Sequence, residues 1–130
     1  MKQVFSVGQC GFDNSAIGRF LGQNFQVKVT TASTVAAATE HLKKVPIDLV
    51  LVNRQFDADG TEGLDFIRQL KATSELAAIP VMLVTNYREY AEQAEAIGAV
   101  PGFGKSELAS AALVTKLQPY LKSDSESQSG

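Results

Sequence analysis

Two short apolar segments in the middle of the chain constrain its fold more than any other feature. "DLVLV" at 48–52 and "PVMLV" at 80–84 are almost continuously apolar. A strand with one face in water alternates apolar and polar residues, whereas a continuously apolar strand is covered on both faces. The two segments therefore predict the central strands of a parallel sheet with helices on both sides.

The rest of the chain repeats the same alternation of strand and helix patterns. Short β-rich runs predict three further strands, at 4–7, 26–31 and 101–104. Amphipathic patterns predict five helices, at 15–23, 34–44, 62–73, 87–97 and 107–121. Strand–helix units in regular alternation predict an α/β domain with right-handed crossovers. In such a sheet, ligands and chemistry collect at the carboxyl ends of the strands.

Polar residues before the helices predict where each helix begins. We expect N-caps at Asn14 or Ser15, and at Ser33, Thr61, Asn86 and Ser106. Pro119 lies inside the last predicted helix, where its missing N–H removes a backbone hydrogen bond. We therefore expect that helix to kink or stop near Gln118.

The composition limits the class of protein. With 130 residues, 45% of them hydrophobic and 20% charged, the chain has the balance of one globular domain, which we place at 1–122. The Ser-rich segment 123–130 is predicted to be a disordered tail. The net charge of −2 gives no reason to expect nucleic-acid binding. A single cysteine, Cys10, and the lack of a long apolar run favour a cytoplasmic protein that makes no membrane contact.

Three segments resemble the receiver domain of response regulators, the phospho-aspartate switch of two-component signalling in bacteria. "GLDFIRQLK" at 63–71 is similar to that family's third helix. "IPVMLVTN" at 79–86 resembles its fourth strand, with Thr85 in the place of the switch hydroxyl. "GAVPGFGKS" at 98–106 resembles its fifth-strand segment, with Lys105 on the family's invariant lysine. The resemblance implies a flavodoxin-like, doubly wound sheet of five parallel strands in the order 2-1-3-4-5, with helices on both faces.

The chain departs from the receiver pattern at the positions that carry the chemistry. Receivers end their third strand in the aspartate that accepts the phosphoryl group, and here this position is Asn53. Gly8 and Gln9 replace the acidic pair that holds Mg²⁺ in the family. Of the five groups that make the phosphorylation site, only Thr85 and Lys105 remain.

Two smaller departures lie around the lysine. Ser106 replaces the proline that normally follows it. Gly102 occupies the position where many receivers carry a rotating Tyr or Phe. Neither residue belongs to the phosphorylation site itself.

These departures remove the chemistry of phosphotransfer. An amide is uncharged and its nitrogen is delocalised, so Asn53 cannot form an acyl phosphate. Mg²⁺ requires hard anionic oxygens, which Gly8 and Gln9 do not supply. We therefore expect a pseudo-receiver with no enzyme activity, no metal and no cofactor. Its expected function is to bind another signalling protein independently of phosphorylation. We expect the protein to be a monomer or a weak homodimer.

The readout surface of receivers lies on the fourth helix, fifth strand and fifth helix. The resemblance places four candidate contact residues on this surface, namely Tyr87, Tyr90, Val100 and Phe103. Exposed aromatic residues are typical of interfaces. The alternative is that Tyr87 or Tyr90 only packs the helix onto the sheet.

Two other interpretations of the pocket stay open. One is a small-anion site formed by Asn53, Arg54, Thr85 and Lys105 beside the first helix's N-terminus. It competes with a simpler arrangement in which Lys105 forms a loop-fixing ion pair with Asp57 or Asp59. The other is an unorthodox switch in which Asp57 or Asp59 replaces the missing acceptor. Both lie in "DADG", where aspartate is common for conformational reasons alone.

Overall fold

The computed structural model describes residues 1–122 and shows strands and helices in alternation. The strands are β1 (Lys2–Val7), β2 (Val27–Ala32), β3 (Leu49–Asn53) and β4 (Val81–Val84). The α-helices are α1 (Gly11–Asn24), α2 (Val35–Lys44), α3 (Gly63–Ala72), α4 (Arg88–Ala96) and α5 (Ala111–Leu121), and a 3₁₀ turn covers Lys105–Glu107. The predicted tail at 123–130 lies outside the described residues.

The described strands form one parallel sheet in the order β2-β1-β3-β4. β3 lies between β1 and β4, and its first four residues are buried. Val50 and Val52 pack on one side with α2 and α3, while Leu49 and Leu51 pack on the other side with α1 and α5. The prediction of a parallel sheet covered by helices on both faces is confirmed, together with the order of these four strands.

The predicted fifth strand is wrong. Residues 101–104 lie beside β4 but form only an isolated parallel bridge, between Phe103 and Val84. Two backbone hydrogen bonds hold the segment, from Val100 N to Val81 O at 2.9 Å and from Thr85 N to Phe103 O at 3.0 Å. Pro101 has no N–H to donate, and the neighbouring Gly102 has no side chain to pack, so a regular ladder does not form.

The helix ends differ from the predicted caps. Cys10, Thr34 and Ser110 cap α1, α2 and α5, each accepting a hydrogen bond from the backbone N–H three residues later. α3 and α4 begin without a side-chain cap. The predicted cap Ser106 lies inside the 3₁₀ turn.

The last helix also runs past its proline. α5 contains Pro119 and continues to Leu121, so of the predicted kink or stop near Gln118 the stop is wrong. Leu117 and Leu121 are fully buried, on the two sides of the proline. Their burial offsets the lost hydrogen bond, because burying a leucine contributes roughly 1.5–3 kcal/mol.

No helix within residues 1–122 is long and apolar enough to cross a membrane.

The segment beside β4 depends on a close backbone approach at Gly102. A Cβ atom on this residue would lie much closer to the Leu83 carbonyl oxygen than a van der Waals contact allows. The obstacle is the backbone of β4, which cannot rotate away as a side chain can. Gly102 is therefore required by packing.

We predict that Gly102→Ala lowers the free energy of unfolding by about 1–3 kcal/mol, the usual range for overpacking. Gly18→Ala is the matched control, because Gly18 lies inside α1 with no atom within 4 Å of an added Cβ. That control should gain about 0.5–1 kcal/mol from the better helix propensity of alanine. Urea unfolding of both variants gives the comparison. A Gly102→Ala protein as stable as the parent would show that β4 is not approached this closely.

Candidate functional site

The carboxyl ends of β1, β3 and β4 meet at one edge of the sheet, which we call the carboxyl edge. It is formed by the residues that follow these strands and by the start of the 3₁₀ turn, namely Gly8, Gln9, Asn53, Arg54, Gln55, Thr85, Asn86 and Lys105. Since the three strands are parallel, residues far apart in sequence come within hydrogen-bonding distance there.

The side chain of Asn53 makes three hydrogen bonds at the end of β3. Its Nδ2 donates to the backbone oxygens of Gln55 at 2.6 Å and of Gly8 at 3.3 Å. Its Oδ1 accepts from Nζ of Lys105 at 3.2 Å. An ionised carboxylate has no hydrogen to donate, so an aspartate at this position would point an oxygen at two carbonyl oxygens. The surroundings of Asn53 therefore fit an amide.

The ammonium of Lys105 is paired with a carboxylate from the first helix. Nζ of Lys105 lies 2.6 Å from Oδ2 of Asp13, in the first turn of α1, and the two side chains are 29% and 25% exposed. The sequence-based expectation that Lys105 pairs with Asp57 or Asp59 is wrong about the partner. Asp13 is separated from Lys105 by 92 residues. The only feature of the sequence that could have pointed to Asp13 is that an acidic residue is favoured in the first turn of a helix.

This contact changes the acidity of Asp13. The hydrogen bond from Lys105 lowers the pKa of the Asp13 carboxyl below its ordinary value, and the charge of Lys105 acts in the same direction. Partial burial opposes the shift, and a contact with Cys10 adds to it. Asp13 is therefore ionised under all but strongly acidic conditions.

The carboxylate of Asp59 is held within its own loop, whereas Asp57 contacts the residue after β1 through its backbone. Oδ1 of Asp59 accepts from the hydroxyl of Thr61 at 2.7 Å and from its backbone N–H at 3.0 Å, which lowers the pKa of Asp59. The backbone N–H of Asp57 donates to Gly8 O at 2.9 Å. Among the described residues, neither carboxylate forms an ion pair with Lys105. The geometry of Asp59 is that of a turn residue.

The positions after β1 offer no carboxylate and, at Gly8, no room for one. Gly8 has a φ of 82°, and a Cβ there would collide with the ring of Phe56. Gln9 is 4% exposed, and neither its Oε1 nor its Nε2 has a hydrogen-bond partner in the described part of the chain. An acidic side chain at Gly8 would require both a strained backbone and displacement of Phe56.

Hydrogen bonds stabilise the loop after β4 and connect it to the segment that carries Lys105. Oγ1 of Thr85 accepts from the N–H of Tyr87 at 3.1 Å. Oδ1 of Asn86 accepts from the backbone N–H of Ser106 at 3.2 Å and from its hydroxyl at 3.0 Å. A proline at position 106 could not donate the backbone hydrogen bond to Asn86, because proline has no N–H. Ser106 therefore gives Asn86 two hydrogen bonds, of which a proline at position 106 could give neither.

The candidate contact residues divide between surface and core. Tyr87 is 59% exposed, and its ring meets the Tyr90 ring edge to face, with centroids 6.2 Å apart. Tyr90 packs against the core and carries the Arg54 guanidinium 4.7 Å above its ring, a cation–π arrangement. Val100 is half-buried. Phe103 is only 3% exposed and belongs to the core, so it is not a surface residue.

Two shallow clefts lie side by side on the carboxyl edge and carry opposite charges. The first, which we call the cationic cleft, has a volume of about 240 Å³ and is lined by Asn53, Arg54, Gln55, Val84, Thr85, Asn86, Tyr87 and Lys105. The second, the acidic cleft, has about 320 Å³ and is lined by Cys10, Asp13, Asn53, Gln55, Phe56, Asp57 and Gly60. Asn53 and the pair Lys105–Asp13 separate them. No group of three or more His, Cys, Asp or Glu residues within 1–122 could hold a metal ion.

The fold and the order of elements at this edge match one protein family. A family model described as the response regulator receiver domain matches residues 14–118. The chain belongs to the response-regulator receiver family. The resemblance seen in the sequence is thereby confirmed, and this receiver has the flavodoxin-like architecture of a two-component signalling domain. A comparison with curated proteins found no match.

Solved structures support the same fold. The receiver is similar to the signal receiver domain of the DNA-binding response regulator protein merR from Colwellia psychrerythraea 34H, with 21% identity, a TM-score of 0.76, and coverage of 92% of this chain and 97% of that one. A putative response regulator from Chloroflexus aurantiacus J-10-fl has 14% identity, a TM-score of 0.79, and coverage of 94% and 98%. A response regulator from Thermotoga maritima has 21% identity, a TM-score of 0.75, and coverage of 95% and 99%. At these identities the likeness concerns the fold alone.

We predict that Asp13→Asn lowers the free energy of unfolding near neutral pH by about 1–2 kcal/mol. A hydrogen bond to a charged group contributes roughly 1.5–3 kcal/mol, and partial exposure of this pair reduces that figure. A carboxylate whose pKa is lowered by folding stabilises above its unfolded pKa of about 3.9 and loses that contribution as the pH falls through the lower folded value. The difference between parent and variant should therefore shrink once the pH falls below about 4.

Urea unfolding over a series of pH values measures this difference. Asp57→Asn is the control, because that carboxylate makes no ion pair in the described structure. A difference between parent and Asp13→Asn that stays constant down to strongly acidic pH would contradict the assignment of the ion pair.

Proposed function

We propose that this receiver is a pseudo-receiver that does not transfer phosphate and acts by binding another signalling protein in a two-component pathway. The hydrogen bonding of Asn53 carries the proposal. Its Nδ2 donates to the backbone oxygens of Gln55 and Gly8. These two oxygens need a hydrogen-bond donor at the end of β3, which an amide provides and a carboxylate does not. A phospho-acceptor needs an anionic oxygen at this point of the edge.

The surroundings of Gly8 support the same proposal. Mg²⁺ binding needs carboxylate oxygens in near-octahedral geometry. The ring of Phe56 occupies the space into which a side chain at position 8 would extend. Each missing negative charge removes roughly 4 kcal/mol of attraction to a unit charge at 4 Å, for an effective dielectric constant near 20. An edge without carboxylates at positions 8, 9 and 53 is a poor site for this ion.

The alternatives drawn from the sequence have less support. A small-anion site at Lys105 is disfavoured because Asp13 already neutralises that lysine at 2.6 Å. An unorthodox switch at Asp59 is disfavoured because its carboxylate is held by Thr61. Asp57 and Asp59 are both exposed, and of the two only Asp57 lines the acidic cleft.

The exposed ring of Tyr87 is the strongest candidate anchor for a partner. It stands at the start of α4, beside the cationic cleft, and is one of few large hydrophobic side chains exposed in the described structure. Aromatic side chains of this kind dominate interface energies. We propose that the partner binds along Tyr87 and the adjoining face of α4. Cytoplasmic location, the absence of enzyme activity and a monomeric or weakly dimeric state remain part of the proposal.

We predict that Asn53→Asp does not restore phosphorylation and lowers the free energy of unfolding by about 1–3 kcal/mol, since the donor of two hydrogen bonds at a half-buried position is lost. Asn86→Asp is the matched control, because Oδ1 of Asn86 acts as an acceptor and a carboxylate can replace it. Intact-mass measurement after incubation with acetyl phosphate and Mg²⁺ should show no added phosphate on the parent or on Asn53→Asp. Efficient phosphate uptake by the parent would refute the proposed function. Uptake by Asn53→Asp alone would refute our account of the pocket.

We predict that Tyr87 and Phe103 respond differently to truncation. Tyr87→Ala should change the free energy of unfolding by less than about 1 kcal/mol, as exposed substitutions do. Phe103→Ala should cost about 3–5 kcal/mol, the range for a buried aromatic residue. Denaturant unfolding of both variants makes the test. A large loss in Tyr87→Ala would mean that this ring is structural and is not free to serve as an anchor.

A further inference from the structure

We infer that Arg54 is a positioning residue for the proposed partner surface. Its guanidinium holds the ring of Tyr90, and Tyr90 in turn orders the Tyr87 anchor and the start of α4. We call Arg54, Tyr90 and Tyr87 the aromatic stack. The inference rests on the proposed function only for the role of Tyr87 as an anchor, and the geometry of the stack can be tested without the partner.

The backbone of Arg54 is fixed at the end of β3. Its N–H donates to the backbone oxygen of Val84 at 3.3 Å, and its own oxygen accepts from the N–H of Gly63 at 2.6 Å. These bonds connect Arg54 to the last residue of β4 and to the first residue of α3. The side chain of Arg54 therefore extends from a fixed base.

The guanidinium of Arg54 contacts a ring more closely than a carboxylate. It lies 4.7 Å from the ring centroid of Tyr90, within the range of about 6 Å over which a cation is attracted to an aromatic face. Among the described residues, its only recorded ion pair is with Glu62 at 4.0 Å, and the two side chains are 29% and 47% exposed. Ion pairs this long and this exposed contribute little. Tyr90 is therefore the main partner of the guanidinium.

Tyr90 connects this contact to the exposed tyrosine. Its side chain is partly buried and packs against the core, so it is held from below as well as by Arg54. Its ring meets the Tyr87 ring edge to face, with centroids 6.2 Å apart. The Thr85 hydroxyl accepts from the N–H of Tyr87, which fixes the backbone of Tyr87 but not its ring. The position of the Tyr87 ring thus depends on Tyr90.

The start of α4 has few other contacts of its own. The structure describes all nine residues of α4, which begins without a side-chain cap and has Ala94 as its one fully buried residue. A helix of this length is marginal by itself, and a missing cap removes further stability. The oxygen of Tyr87 accepts from the N–H groups of Tyr90 and Ala91, each at 3.2 Å, so the first turn closes on the two tyrosines. Holding the Tyr90 ring therefore orders this turn.

The first test is an NMR measurement on the parent protein. Side-chain protons of Arg54 that lie above the Tyr90 ring should be shifted upfield relative to those of a solvated arginine. They should also show nuclear Overhauser contacts with the ring protons of Tyr90. Absence of both signals would overturn the inference.

The second test compares the order of the α4 start in three variants. Arg54→Met keeps the length of the side chain without its charge, and the order parameters of the Tyr87 and Arg88 amides should fall from about 0.85 towards 0.6. Arg54→Lys keeps a cation without the planar guanidinium and should preserve part of this order. Glu62→Gln is the matched control, because it removes the carboxylate near Arg54 and leaves the aromatic stack in place. It should behave as the parent does.

These order parameters report the folded state, so a loss of stability alone does not change them. An Arg54→Met protein that is less stable but keeps the order of Tyr87 and Arg88 would show that Arg54 only stabilises the fold, and would overturn the inference. Equal loss of order in Glu62→Gln would assign the effect to the ion pair and would also overturn it. If Arg54→Met does not fold, Tyr90→Leu, which removes the ring and keeps an apolar side chain, should give the same loss of order at Tyr87. None of these readouts involves phosphate uptake, so the inference and the proposed function can fail separately.

Discussion

Burial of β3 on both faces is the constraint on which the rest of the structure depends. Because its side chains pack alternately against α2 and α3 on one side and α1 and α5 on the other, the strand is fixed between β1 and β4 with a defined register. A one-residue slip would exchange its two sets of core side chains. The register in turn fixes Asn53 opposite Val84 and places its amide beside Gly8 and Lys105.

At the carboxyl edge, electrostatics and packing act together. A parallel sheet gathers the ends of its strands, and Lys105 brings a positive charge to the place where they meet. A half-buried ammonium needs a compensating carboxylate, and Asp13 supplies it from the first turn of α1, where negative charge is also favoured by the helix dipole. Asn53 then completes the lysine's surroundings as a neutral acceptor, while its own donors are taken up by backbone carbonyls.

Local patterns predicted most of the fold and little of the site. The continuous apolar runs at 48–52 and 80–84 identified two strands that are buried on both faces, because a strand with one face in water would alternate apolar and polar residues. The prediction of a fifth strand was wrong because Pro101 and Gly102 prevent a regular hydrogen-bonded ladder, although the segment still lies beside β4. Asp13 was missed because its partner is 92 residues away and only the packed position of α1 joins them. Phe103 was misplaced because the resemblance assigns its segment to the readout surface without saying which side chains of the segment face the core.

The substitutions at this edge depend on one another. Gly8 leaves space for the Phe56 ring and presents a carbonyl that accepts from the Asn53 amide and from Asp57 N–H. The side-chain nitrogen of Asn53 donates to that carbonyl. Asn53 offers Lys105 only a neutral acceptor, and the negative charge that compensates Lys105 comes from Asp13. An acidic residue at position 8 would collide with the Phe56 ring, and a carboxylate at position 53 would leave the carbonyl oxygens of Gly8 and Gln55 without the donor they now share. In the described residues, the side chains of Asn53 and Lys105 are thus hydrogen-bonded without a carboxylate at positions 8, 9 or 53.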